Sequence, residues 1–453
     1  MTPASGSPIP ILEGSAAIRW IEAGGQTDRS RGTRAEVHRI IERIRSNGDS
    51  ALLEFAERFE SGRPLSILVP ADECRAALDG LTTDRRSALG LAARNLRRFH
   101  DAQLRREPPV EVMRGIRAWR EFRPIDRIGV YAPGGRAAYP SSVLMAVVPA
   151  RIAGVREIAV CCPAGPDGRP PDSVMAACAL LEVDELFAVG GAQAIAALAL
   201  GTETIRSVDK IFGPGGAWVN EAKLALYPEV EIDLPAGPSE VVVWADLSAE
   251  PRLVAAELVA QAEHGPDSRC ICVLSDPGET TGPGLRELAR RTARETQRAL
   301  DRLSAGPETG STVPSAVASL AGSAILVTDS DPEGARWVNA LAGEHLSIQR
   351  RDPRRELARI DHAGSVFLGP WAPVAAGDYA SGTNHVLPTG RRARACSGLG
   401  LDDFGRWIQV QEIDAEGLAG ISGAIETLAE WEGLPAHAAS VRQRWAGGGV
   451  DAS

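Results

Sequence analysis

Glu344 and His345 stand side by side, after Gly343 and before a strand-like Leu346-Ser347-Ile348 run. A carboxylate next to an imidazole offers two proton acceptors, the equipment of general acid–base chemistry. In a regular strand neighbours face opposite ways, so the two share one site only if the backbone turns there. Otherwise they are a solvated polar pair. A second group ends a helix: Val254, Leu258 and Gln261 fall at i, i+4 and i+7, with His264 one turn along, before Gly265-Pro266 stops the helix. Polar groups on an inward stripe need partners, and a hydrogen-bonded core histidine meets that need as well as a binding site does. Asp378 lies in Gly377–His385, read as a long polar loop of the kind that is more often functional than idle. Glu432 and His437 lie five residues apart near the C-terminus and read as surface residues. Cys270 and Cys272 share a strand face, either as a thiol nucleophile or, the preferred reading, as small buried apolar residues.

Three glycine-rich turns follow strand-like runs: Gly129–Gly135, Gly190-Gly191-Ala192-Gln193 and Gly213-Pro214-Gly215-Gly216. The first two lead into helices, where backbone N–H groups can approach a pyrophosphate. None is the G-x-G-x-x-G fingerprint.

These groups must be held by a larger frame. From Ile128 to Val189 short apolar runs alternate with helical stretches, the pattern of βαβ units and a parallel sheet. A second series follows, with strands at 241–244, 270–274 and 324–328 and helices at 251–263 and 284–303. The carboxyl ends of parallel strands are where such sheets bind ligands, and two of them facing each other enclose a cleft. Arg34–Phe59 reads as a helix broken near Asn47-Gly48-Asp49, and Thr83–Leu104 as a long polar helix. Residues 304–319, rich in Ser, Pro and Gly, read as a surface loop, and Asp402–Trp445 as a helical arm.

Composition narrows the function. The 453 residues carry a formal charge of −10, which argues against nucleic acid or an anionic membrane as the main partner. No apolar run reaches the length of a membrane helix, and the first residues read as a frayed tail without the features of a secretory signal. Seven scattered cysteines without CxxC spacing fit a reduced, cytoplasmic setting. Only Lys210 and Lys223 are lysines, which disfavours Schiff-base chemistry.

Longer strings add a resemblance. Residues 131–155 (YAPGGRAAYPSSVLMAVVPARIAGV), 189–199 (VGGAQAIAALA), 232–246 (IDLPAGPSEVVVWAD), 258–267 (LVAQAEHGPD), 342–348 (AGEHLSI) and 377–389 (GDYASGTNHVLPT) together resemble the histidinol dehydrogenase family. CSGLGLDDF (396–404) and EGLPAHAASVR (432–442) continue the match, which runs from about Glu36 to Arg444. The resemblance implies that Gln261, His264, Asp378 and His437 are zinc ligands and that Glu344 and His345 are the acid–base pair. It implies that Ser239, Glu432 and His345 contact substrate alongside the zinc ligands, and that Tyr131 and Gln193 contact NAD. Where the family pattern has Asn in GPGN, this chain has Gly216, a lost hydrogen bond worth about 0.5–1.5 kcal/mol of cofactor binding.

It further implies two NAD-dependent oxidations of L-histidinol to L-histidine, in a homodimer whose C-terminal arm completes the partner's site. The expected fold is α/β, with two Rossmann-like open parallel-sheet domains facing a cleft, a helical N-terminal layer and a helical C-terminal arm. The expected division is a tail at 1–27, a zinc and substrate domain at 28–128 with 240–380, an NAD domain at 129–239, and a loop and arm at 381–453. Two alternatives are a related zinc and NAD enzyme for another polar alcohol, such as a sulfonated diol, and a non-catalytic nucleotide binder. The intact acid–base pair and ligand positions argue against the second.

Overall fold

The computed structural model describes residues 8–23, 30–134, 138–235, 237–278, 282–305 and 312–445. Two parallel sheets lie in one compact unit formed by Met1–Gln103 and Ile125–Phe404. The five-stranded sheet runs in the order Glu185–Phe187, Glu157–Cys161, Arg127–Tyr131, Lys210–Phe212, Glu231–Ile232. Its central strands are apolar and buried, as expected of strands covered on both faces by helices. The chain starts in the middle, builds two strands to one side and two to the other. Its topological switch point therefore lies between Arg127–Tyr131 and Lys210–Phe212. Gly213 ends the latter strand at φ +114°, and a Cβ there would collide with the carbonyl oxygen of Tyr131. Glycine is what lets the two strand ends approach at the crevice.

The six-stranded sheet runs Ile11–Glu13, Ala324–Val327, Arg269–Leu274, Glu240–Ala245, His345–Gln349, Ser365–Leu368, all parallel. The first strand corrects the reading of Met1–Gly14 as a frayed tail and of 1–27 as a tail. Ile11–Glu13 extends the sheet beside Ala324–Val327, and helix Gly14–Ala23 buries Ala17 and Ile21 in the core. The 304–319 loop is corrected as well. Helix Gly282–Ser304 is followed, after the undescribed residues 306–311, by helix Thr312–Ala321, which buries Ala316 and Leu320 at i, i+4. Its Pro314 sits in the first turn, where the missing N–H costs nothing.

Helix Ser30–Phe59 carries the break near Gly48, whose φ of +49° and ψ of −132° are non-helical. Its Val37, Ile40, Ile41, Ile44, Leu52 and Phe55 pack with Ile195 and Leu198, from helix Gly191–Leu200 beside the five-stranded sheet. Helix Ser30–Phe59, expected within the domain of the six-stranded sheet, therefore packs against the five-stranded one, whose helix its apolar stripe matches. The long polar helix stops at Asp101, spanning Thr83–Asp101.

The second compact unit comprises Leu104–Pro124 and Gly405–Ser453. It holds an antiparallel sheet in the order Gly405–Ile413, Ile116–Pro124, Val110–Met113, with helices Ala415–Trp431 and Pro435–Arg442. The expected helical arm thus opens with a nine-residue strand, in which Trp407, Ile408 and Val410 favour extended backbone. Among the described residues no helix is long and apolar enough to cross a membrane.

Candidate active site

A cavity of about 320 Å³ lies between the carboxyl edge of the five-stranded sheet and the amino edge of the six-stranded one. From the first come Pro133, Gly213 to Gly216, Asp233 and Leu234; from the second come Ser239, Glu344 and His345. Such a size suits a small polar substrate.

Glu344 and His345 share this wall because Glu344 precedes the strand. Helix Asp331–Leu341 closes on Ala342 in the left-handed region (φ 44°), and the regular strand begins at His345. The main chain of Glu240, first residue of the neighbouring strand, fixes both side chains. Its N–H donates to Glu344 Oε2 at 2.8 Å, and its carbonyl lies 3.1 Å from His345 Nδ1. The carbonyl can only accept, so Nδ1 carries the proton and Nε2 of the neutral ring is the basic nitrogen. That Nε2 is buried, makes no hydrogen bond within the chain, and stands 3.5 Å from Asp378 Oδ1. Burial pushes the Glu344 carboxyl up to about 7, against the opposing pull of His345 and the Glu240 amide. Burial works to lower the His345 pKa, but Asp378 and Glu344 together raise it above the ordinary value.

Gln261 belongs to helix Pro251–Ala262, and His264 lies just past its end. His264 and Asp378 line the same cavity. Gln261 is buried, and neither its Oε1 nor its Nε2 has a partner. Leaving such a group unpaired costs about 1–3 kcal/mol, so a ligand atom is called for. Asp378 is not in a loop as expected but in the short helix Val374–Tyr379, whose Val374 N–H donates to Glu257 Oε2 at 3.1 Å. His385 Nδ1 is 3.0 Å from the Asp378 carbonyl. Among the described residues no three His, Cys, Asp or Glu side chains form a metal cluster.

The glycine turns differ from expectation in two ways. The Gly213–Gly216 turn does lead into a helix, Ala217–Ala225. The Gly190 and Gly191 amides are not free for a pyrophosphate: Gly190 N–H donates to Glu60 Oε1 at 2.9 Å, and Gly191 N–H to Tyr131 Oη at 3.2 Å. Gln193 is buried and donates from Nε2 to Glu60 Oε1 at 3.1 Å. Residues 135–137 of the first turn lie outside the described residues. Behind the third turn Lys223 donates to the Gly213 carbonyl at 3.1 Å and pairs with Asp233, whose Oδ2 accepts the Gly213 N–H at 2.7 Å. The two side chains are 2% and 1% exposed, a buried clamp on the turn. Gly216 lines the cavity with open space where a Cβ would stand.

Glu432 and His437 belong to the second unit, where both are exposed. Cys270 and Cys272 are buried in the six-stranded core, and burial pushes their thiols up, Cys270 to about 11 and Cys272 further. Neither lines the cavity. Sequence reasoning missed Glu60, the Glu240 main chain and the Lys223–Asp233 pair. Only Lys223 left a signal, as one of two lysines in the chain.

The family model described as histidinol dehydrogenase matches residues 25–445. A histidinol dehydrogenase of Vibrio parahaemolyticus is 43% identical over 415 residues, covering 90% of this chain and 91% of that one. One of Natronomonas pharaonis is 45% identical over 414 residues, covering 91% and 93%. The crystal structure of histidinol dehydrogenase from Elizabethkingia anophelis superposes with a TM-score of 0.90 at 35% identity, over 98% of this chain and 99% of that one.

Proposed function

Since the chain belongs to the histidinol dehydrogenase family, we propose that it oxidises L-histidinol to L-histidine, the end of histidine biosynthesis, with NAD as oxidant and zinc as resident metal. The observation that carries this reading is the Glu240 main chain holding a carboxylate and an imidazole together on a cavity wall. Alcohol to acid removes two hydrides and adds one water oxygen, so two proton acceptors are needed. His345 Nε2 takes the alcohol proton in the first oxidation. The imidazolium that results faces Asp378, whose carboxylate stabilises it. Glu344 takes a proton from the water that adds to the aldehyde, a task suited to a carboxyl with a pKa near neutrality.

Zinc fits the donors present: the unpartnered Gln261, His264 and Asp378 would hold it, with His437 of a second protomer as fourth ligand. When bound it anchors the imidazole and amine of the substrate, which orients the carbinol carbon. Tyr131, Gln193 and Gly216 at the switch-point crevice would hold NAD, two molecules of which in succession would each supply one hydride acceptor. Ser239 at the cavity wall contacts substrate, and Glu432 reaches it from the partner's arm. Helix Ala415–Trp431 leaves Leu428 and Trp431 exposed, 53% and 85%, which supports an arm that packs on another protomer. Seven free cysteines fit a cytoplasmic enzyme.

A sulfonated diol is the poorer substrate. Among the described residues lining the cavity there is no Lys or Arg, while Glu344 and Asp378 favour an ammonium group over a sulfonate. The test is NADH formation on a panel of amino alcohols and sulfonated diols, with and without chelator. L-Histidinol should give about two NADH per molecule consumed, abolished by chelation and restored by zinc. Turnover confined to the diols, or unaffected by chelation, would refute the assignment.

A further inference from the structure

Glu60 is a carboxylate that the proposed mechanism does not use. It follows helix Ser30–Phe59 and reaches the carboxyl ends of two strands of the five-stranded sheet. Oε2 accepts the Ala164 N–H at 2.9 Å, just beyond strand Glu157–Cys161. Oε1 accepts the Gly190 N–H at 2.9 Å and Gln193 Nε2 at 3.1 Å, just beyond strand Glu185–Phe187. A carboxylate has about four acceptor positions, so one on Oε2 stays open for a further donor.

The place matters more than the bonds. Arg127–Tyr131 is the first strand of this βαβ series and Glu157–Cys161 the second. In dinucleotide-binding sheets an acid at the end of the second strand reads the ribose 2′-hydroxyl, and an arginine there accommodates a 2′-phosphate. Here the segment after the second strand, Cys162-Pro163-Ala164-Gly165-Pro166, has no acid. Asp167 turns back to accept the Arg169 N–H at 3.2 Å. Arginines of the flanking segments are engaged: Arg58 stacks on Phe59, Arg63 faces Glu57 and Arg169 pairs with Glu73.

We propose that Glu60, supplied by the helical layer rather than by the sheet, is the specificity-determining residue that accepts a cofactor ribose hydroxyl and repels a 2′-phosphate. This rests on the dinucleotide reading of the five-stranded sheet. Because the same carboxylate holds Gln193, it also positions that contact.

The experiment uses the full-length enzyme, with NADH and NADPH binding by fluorescence and kcat/KM for NAD and NADP. Wild type should favour the unphosphorylated cofactor by at least about tenfold, the scale of a like-charge juxtaposition partly screened by water. Glu60→Gln should raise the KM for NAD with kcat within about twofold and shrink the NAD to NADP ratio by about tenfold. Glu60→Asp, which keeps the charge, should retain the discrimination. A brace alone would weaken both cofactors equally, so an unchanged ratio in Glu60→Gln overturns the proposal. If that variant does not fold, the wild-type ratio still decides, since equal binding of NADH and NADPH overturns it too. A wild type that binds neither would instead bring down the dinucleotide reading itself.

Discussion

The Glu344 carboxyl should set the acid limb of the pH profile. Its pKa is pushed up to about 7 by burial beneath the amino edge of the six-stranded sheet. The sign follows directly: a raised carboxyl pKa leaves the group protonated, and useless as a base, over a wider range below neutrality. With a pKa of about 7, roughly one-tenth is ionised near pH 6 and about half near pH 7, whereas an ordinary glutamate would be almost fully ionised at both. Steady-state kcat on the aldehyde should therefore climb about tenfold per pH unit below about pH 6.5 and level off above about pH 8. Glu344→Gln keeps an oxygen to accept the Glu240 N–H, so the wall should hold its shape. It should lose about 10²- to 10⁴-fold in the second oxidation, the usual worth of a general base, with a smaller effect on the first. The assay is NADH formation from L-histidinol and from the aldehyde supplied separately, across pH. A Glu344→Gln enzyme that oxidises the aldehyde at the wild-type rate, with the same acid limb, would refute the reasoning.

Four further outcomes follow from the same geometry. Lys223→Met leaves Asp233 charged and unpaired in the core and should cost about 3–5 kcal/mol in urea unfolding, while Lys223→Met with Asp233→Leu should recover most of it. Gly216→Asn meets open space at φ −66° and caps helix Ala217–Ala225, so it should lower the KM for NAD by about two- to tenfold, read in initial-rate assays. Cys270→Ser and Cys272→Ser should keep most of the turnover, because raised thiol pKa values make both poor nucleophiles; abolished turnover with normal folding would favour a thiohemiacetal route. Mixing inactive His264→Ala and His437→Ala protomers should restore some activity, since each heterodimer holds one intact site; inactive heterodimers would place the arm on its own subunit.

The sheets were legible because parallel strands covered on both faces read as apolar runs, as in Ile128–Tyr131 and Glu157–Cys162. Gln261 was legible as an inward residue from its spacing, but not as an unpartnered one, since that depends on what the neighbouring helices withhold. Residues 1–27 misled because a three-residue edge strand carries too little pattern, and its pairing with Ala324–Val327 joins residues some three hundred apart. Glu60 was invisible for the same reason. Its partners lie 104 to 133 residues away, and a glutamate after a polar helix end looks like any other. The Asp378 loop misled because Gly377-Asp378-Tyr379 reads as a turn, although it closes a short helix whose first N–H, that of Val374, is held by Glu257.

The two sheets do not offer the same end to the cavity, and this explains the division of labour. In the six-stranded sheet the switch point lies between Glu240–Ala245 and His345–Gln349, and its carboxyl side is filled. Arg350 is buried there, 4.3 Å from the Trp244 ring, with NH1 on the Ser275 carbonyl at 2.8 Å and NH2 on Asp331 Oδ1 at 2.6 Å. The end that faces the cavity is the amino edge, where Ser239 and Glu344 precede their strands and His345 begins its own. There the Glu240 N–H holds Glu344. The five-stranded sheet keeps its carboxyl crevice open, through Gly213, and faces it toward those residues. Cofactor contacts and proton acceptors therefore sit on two different sheets of one compact unit. Substitutions at Glu60 or Gly216 should then move the KM for the dinucleotide, and those at Glu344 or His345 should move kcat, with little coupling between the two sets.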